Sequence, residues 1–119
     1  MKIAVTSQGD TLDSAIDQRF GRANGFIIVD SETMDYRYVE NTQNLQSASG
    51  AGIQAAQKMA NEKVDILITG NCGPKAFATL KVSAVGVITG AQGTVRECIE
   101  KWKKGELQPT DSANVNPHW

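Results

Sequence analysis

Two short stretches of this chain carry residue types that could do chemistry. In the first, DQRFGR, Arg19 and Arg22 stand on either side of an apolar Phe20 and a flexible Gly21. Guanidinium forks suit oxyanions and other diffuse anions better than an ammonium group does. In the second, Gly70-Asn71-Cys72-Gly73-Pro74-Lys75 follows the apolar run Val64 to Thr69. Its two glycines permit tight or left-handed backbone and Pro74 fits the first turn of a helix, so it reads as strand, small-residue loop and helix N-terminus. Backbone N–H groups there, the positive end of the helix dipole and Lys75 together make a seat for an anion. Cys72 adds one soft sulfur. A third candidate is the start of another helix at Ser49 and Gly50, with Ser49 the expected N-cap. The same residues also fit an ordinary tight turn around a buried thiol and arginines in surface salt bridges, and the residue types alone leave both readings open.

Composition removes several function classes. Twelve basic residues against 13 acidic give a net charge of −1, so no global field draws the chain to nucleic acid or to an anionic membrane. Any anion site must be local. The two cysteines, Cys72 and Cys98, form neither a disulfide framework nor a zinc spacing, and a reducing cytoplasm is the expected setting. The apolar runs are far shorter than a membrane span. GNCGP lacks the length and the Lys-Ser/Thr ending of a P-loop, and no GxGxxG follows a strand. A Cys72 nucleophile would need a base, and the single histidine, His118, lies in the C-terminal tail. Cys72 and His118 are therefore weak candidates as metal ligands.

The elements that must position these residues follow from periodicity. Strands are expected at 2–6, 26–30, 36–40, 64–69 and 84–88, with the second and third joined as a hairpin whose outer strand is an edge. Helices are expected at 51–63, 74–81 and 94–104, the first with an apolar stripe of Ile53, Ala56 and Ala60 and with Met59 beside it, the last carrying Cys98 on its buried face. The polar stretch between the first two strands is long for so small a domain. Leu12, Ile16 and Phe20 mark it as an ordered, functional loop, expected to be mobile when empty and to settle on a ligand. Residues 1–107 form one α/β domain with a mixed five-stranded sheet and about three helices; 108–119 are expected to be a loosely ordered tail. Right-handed crossovers bring the loops after Thr6, Thr69 and Ile88 to one end of the sheet, where ligands of open α/β sheets bind.

Taken together, DQRFGRANGFIIVD, GAGIQAAQKM, VDILITGNCGPKAF and GTVRECIEKW resemble the dinitrogenase iron–molybdenum cofactor family over nearly the whole chain to about Leu107. The resemblance implies a ribonuclease H-like α/β fold without nuclease chemistry. It implies noncovalent holding of a preassembled anionic metal–sulfide cluster: a molybdenum–copper sulfide as in the short, stand-alone members, or an iron–molybdenum cofactor precursor. The binding residues would be Arg19, Phe20, Gly21, Arg22, Ser49, Gly50, Asn71, Cys72, Gly73, Pro74 and Lys75, in a carrier and not an enzyme. Two rival readings use the same loops: a small enzyme acting on a phosphorylated ligand, and a module for a P-loop ATPase partner that the family's associations suggest.

Overall fold

The computed structural model describes residues 1–41 and 50–114. Ser49 and His118 lie outside the described residues. The chain forms β1 (Lys2–Ser7), β2 (Gly25–Asp30), β3 (Tyr36–Glu40), α1 (Ala51–Asn61), β4 (Ile66–Ile68), α2 (Pro74–Val82), β5 (Gly86–Ile88) and α3 (Val95–Lys103). Sheet order is β3-β2-β1-β4-β5. The β1–β2 and β2–β3 pairs are antiparallel and the β1–β4 and β4–β5 pairs parallel, which is the mixed five-stranded sheet expected and is compatible with a ribonuclease H-like arrangement.

Strand alternation sorts the core into two layers. Ala4, Phe26, Ile28, Leu67 and Val87 face Ala55, Ala56, Met59, Ala76 and Leu80 of α1 and α2. Ile3, Val5, Ile27, Val29, Ile66, Ile68 and Ile88 face Val95, Cys98 and Ile99 of α3 on the other side. The buried stripe of α1 is Ala51, Ala55, Ala56 and Met59. Ala56 and Met59 are buried as expected, while the expectation for Ile53 and Ala60 is corrected, since both are only half-buried. The cause is a shared face: α1 packs on α2 as well as on the sheet, and small residues turn toward both.

Two helix ends use a device that composition hides. At the end of α1, Lys63 has φ 59° and its N–H reaches Ala60 O, while Val64 N–H reaches Met59 O. At the end of α2, Ala84 has φ 61°, with the matching bonds from Ala84 to Lys81 O and from Val85 to Leu80 O. This is the Schellman arrangement, normally built on glycine. It shortens β4 and β5 to three residues each.

The long loop between β1 and β2 is tied down at many points. Asp17 N–H bonds to Thr6 O, Ile16 N–H to Gly93 O, Val95 N–H to Ser14 O and Arg96 N–H to Leu12 O, all between 2.8 and 3.0 Å. Leu12, Ile16 and Phe20 are buried. The loop is scaffold, which replaces the mobile flap expected from its length. Amides of Ile16, Asp17 and Phe20 should accordingly resist hydrogen exchange equally with and without ligand, and protection that appears only on ligand addition would restore the flap. Residues beyond Leu107 also dock: Thr110 donates from N and Oγ1 to Val87 O at 2.7 and 3.1 Å.

Candidate anion site

The C-terminal ends of β1, β4 and β5 lie together. Thr6 Oγ1 and Thr69 Oγ1 are hydrogen-bonded at 3.0 Å, and Thr69 N–H donates to Ile88 O at 2.9 Å. Above this end the two motif loops run side by side. Arg19 and Asn71 form a parallel bridge, Phe20 N–H donates to Asn71 O at 3.1 Å, and Asn71 Nδ2 donates to Gln18 O at 3.0 Å.

The arginine loop owes its shape to residues that carry no obvious motif. Asp17 is buried, and its Oδ1 accepts from Arg19 N–H at 3.1 Å while its Oδ2 accepts from Asn24 N–H at 3.2 Å. One carboxylate thus closes both ends of the turn, the local bonding that Asp favours in loops. Asn41, also buried, donates from Nδ2 to Gly21 O and Ala23 O at 3.1 and 3.0 Å. Phe20 points inward, its ring 5.8 Å from that of Phe26. Its side chain is an anchor for Arg19 and Arg22 and not apolar cover for a ligand. Arg19 is exposed and Arg22 half-buried.

The loop meets both helix starts. A methyl group at Gly21 would come within 2.8 Å of Gly52 N and Cα, and one at Gly52 within 3.1 Å of the Ala76 methyl. The N-termini of α1 and α2 therefore converge beside Arg22 and Lys75. Neither has a side-chain cap and neither first turn carries an acidic residue. By contrast α3 is closed by a full capping box of Thr94 and Glu97. The N-cap of α1 is Gly50 at φ 78°, which corrects the expectation that Ser49 caps it; Pro74 opens α2 as expected. Left-handed Gly50 offers no side chain of its own to cap the first turn.

The family model for dinitrogenase iron–molybdenum cofactor matches residues 1–105. The chain belongs to that family. It is 31% identical over 111 residues to an uncharacterized protein of Methanocaldococcus jannaschii, covering 91% of this chain and 90% of the relative. Among solved structures, it is similar to the apo form of the orange protein from Desulfovibrio gigas, with TM-score 0.94, 39% identity and 96% of each chain covered. It is also similar to a Thermotoga protein of the DUF35 family, with TM-score 0.80, 36% identity and 96% and 98% of the two chains covered.

Within this family fold, the carboxylates are dispersed. Asp13 pairs with Arg96, Asp17 closes its own loop, Asp30 bonds the backbone of Glu32 and Thr33, and Asp65 accepts from Lys2 N–H. Among the described residues no three His, Cys, Asp or Glu side chains gather, and no helix is long and apolar enough to cross a membrane. Asp30 sits below the usual carboxylate range because those two backbone N–H groups favour its charged form.

Cys72 is 1% exposed and packs among Phe20, Phe26 and Ala76. Burial pushes its thiol from an ordinary 9.0 up to about 12. A thiolate is what binds metal, so this sulfur is a poor ligand as placed. The raised value has a consequence for stability. Between pH 9 and about 12 the unfolded chain has released this proton and the folded chain has not, so the unfolded state binds fewer protons. Stability is then intact below pH 9 and declines as pH rises through that window, by at most roughly 1.4 kcal/mol per unit. Urea titrations of wild type and Cys72→Ser from pH 8 to 11 should show a flatter alkaline limb in the variant; parallel limbs would mean the thiol is not buried.

Proposed function

We propose that the protein holds a preassembled, anionic molybdenum-containing metal–sulfide cluster noncovalently, as cargo. The observation that carries this reading is the hydrogen-bonded apposition of the arginine loop and the Asn71–Lys75 loop over two uncapped helix N-termini. A sulfide cluster with net negative charge and a large polarisable surface is held by cations and N–H donors. Arg19, Arg22 and Lys75 supply the first, and the backbone N–H groups of Gly73, Lys75 and Ala76, with those at the start of α1, the second. The donor set fits such a cargo better than a thiolate-bound cluster, which needs several cysteines where the chain has two, both buried.

Likeness to the orange protein favours a molybdenum–copper sulfide; an iron–molybdenum cofactor precursor suits the same charge and shape. A carrier role in a reducing cytoplasm accounts for two free thiols and, among the described residues, for a site lined by cations and amides and not by a histidine. The test is reconstitution. Purified protein mixed with tetrathiomolybdate and cuprous ion, then gel-filtered, should carry molybdenum and copper by elemental analysis and show visible charge-transfer bands. A colourless protein whose melting temperature rises with ATP or a sugar phosphate would replace this reading with a phosphorylated ligand.

A further inference from the structure

The family match ends at residue 105, yet the chain beyond it returns to the site. Asn114 grips Cys72 at both backbone groups: Cys72 N–H donates to Asn114 Oδ1 at 2.8 Å, and Asn114 N–H donates to Cys72 O at 3.2 Å. Its Nδ2 donates to Gly70 O at 3.1 Å and to Asn71 Oδ1 at 3.0 Å. The direction of these bonds is forced. A backbone N–H can only donate and a carbonyl can only accept, so Cys72 and Gly70 fix which end of the Asn114 amide faces which way. That in turn obliges Asn71 to present Oδ1 to Asn114, leaving its Nδ2 for Gln18 O in the arginine loop. An amide relay therefore runs from the C-terminal segment, through Asn71, to the loop that carries Arg19 and Arg22. The segment is tied at its other end by Thr110 on Val87 O.

We propose that residues 108–114 are a strap that completes the ligand site, with Asn114 a positioning residue acting through Asn71 on the arginine loop. This rests on the reading of that loop as part of a cluster seat. With both Nδ2 hydrogens and Oδ1 engaged, Asn114 has no donor left for the ligand. Its contribution is the register of one motif loop against the other, which sets the distance between the guanidinium groups and Lys75.

The full-length Asn114→Ala variant tests it, with Arg19→Gln/Arg22→Gln as the control for the site and Asn114→Asp as a second probe. Aspartate can still accept from Cys72 N–H but has no N–H for Asn71 or Gly70. The probe is the molybdenum–copper sulfide anion formed from tetrathiomolybdate and cuprous ion. Expected for Asn114→Ala is a chain that still folds, its melt lowered by the bonds lost at Cys72 and Gly70, with retention measured well below that melt weakened by about tenfold, the effect of one mispositioned charged contact. In amide NMR spectra of the empty protein, both variants should shift Gln18 to Arg22, across the relay from the substitution. Shifts confined to Gly70–Gly73, or binding equal to or tighter than wild type, would overturn the strap as a positioning element. Wild type and the arginine variant binding alike would sink the cluster seat instead, and the NMR arm would still decide the relay.

Discussion

Replacing Arg19 and Arg22 together by glutamine should weaken retention of the molybdenum–copper sulfide by about one to four decades. Each substitution removes a charge-assisted contact while keeping much of the side chain's length, and such contacts are worth roughly 1.5–3 kcal/mol. Two of them add if they act on separate faces of the ligand, and each 1.4 kcal/mol is about tenfold in affinity. Arg19 argues for the lower part of that range, because its side chain is 53% exposed and its Nε lies 4.0 Å from Asp17 Oδ1, so water and a carboxylate already share its field. Salt should weaken binding as well, in proportion to that exposure. Bound molybdenum and copper after gel filtration, with a thermal melt beside them, give the measurement. A folded double variant that retains the cluster as wild type does would leave both arginines as surface groups.

Gly21→Ala should cost both the fold and the site. The added methyl group would lie 2.8 Å from Gly52 N and Cα, and these are backbone atoms of a packed helix start with no flexible end to swing away. Overpacking of this kind costs about 1–3 kcal/mol. The relief available is to push the arginine loop off α1, which also strains the Asn41 bonds to Gly21 O and Ala23 O. Urea midpoints should fall and cluster retention should fall further than stability alone explains. Gly86→Ala is the natural comparison: its methyl group would meet neighbours at 3.7 Å, an ordinary contact, so its midpoint should stay near wild type. Equal effects from the two substitutions would mean that the close approach at Gly21 carries no special weight.

The strands and helices were legible because apolar runs such as Ile3-Ala4-Val5 and Phe26-Ile27-Ile28-Val29 are buried on both faces, and continuous burial leaves a continuous pattern. The two motif loops were legible as well, since arginines around Phe-Gly and glycines before a proline are local signals. What stayed hidden has a common physical form. Asp17, Asn41 and Asn114 are single polar side chains that satisfy backbone groups elsewhere, and Asn114 reaches Gly70 across 44 positions of sequence. No periodicity marks such a bond. Lys63 and Ala84 in left-handed conformations were hidden for a different reason, because the sequence rule for such helix ends is written for glycine. Cys72 read equally well as ligand or core from its neighbours alone; only the direction of its side chain, into the Phe20 and Phe26 cluster, separates the two.

The pairing of β1 has a temporal consequence. On one side β1 binds β2, the next strand in the chain, and on the other it binds β4, with Thr6 and Thr69 meeting across 63 positions. During synthesis the β1–β2–β3 meander can close as soon as Glu40 has emerged, because its contacts are short-range and their loop-closure entropy is small. The two motif loops are not yet side by side at that point. The proposed seat needs Asn71 to Lys75 beside the arginine loop, and the proposed strap adds Asn114 to that register. The meander therefore forms ahead of the apposition of the two motif loops, which waits for the second half of the chain.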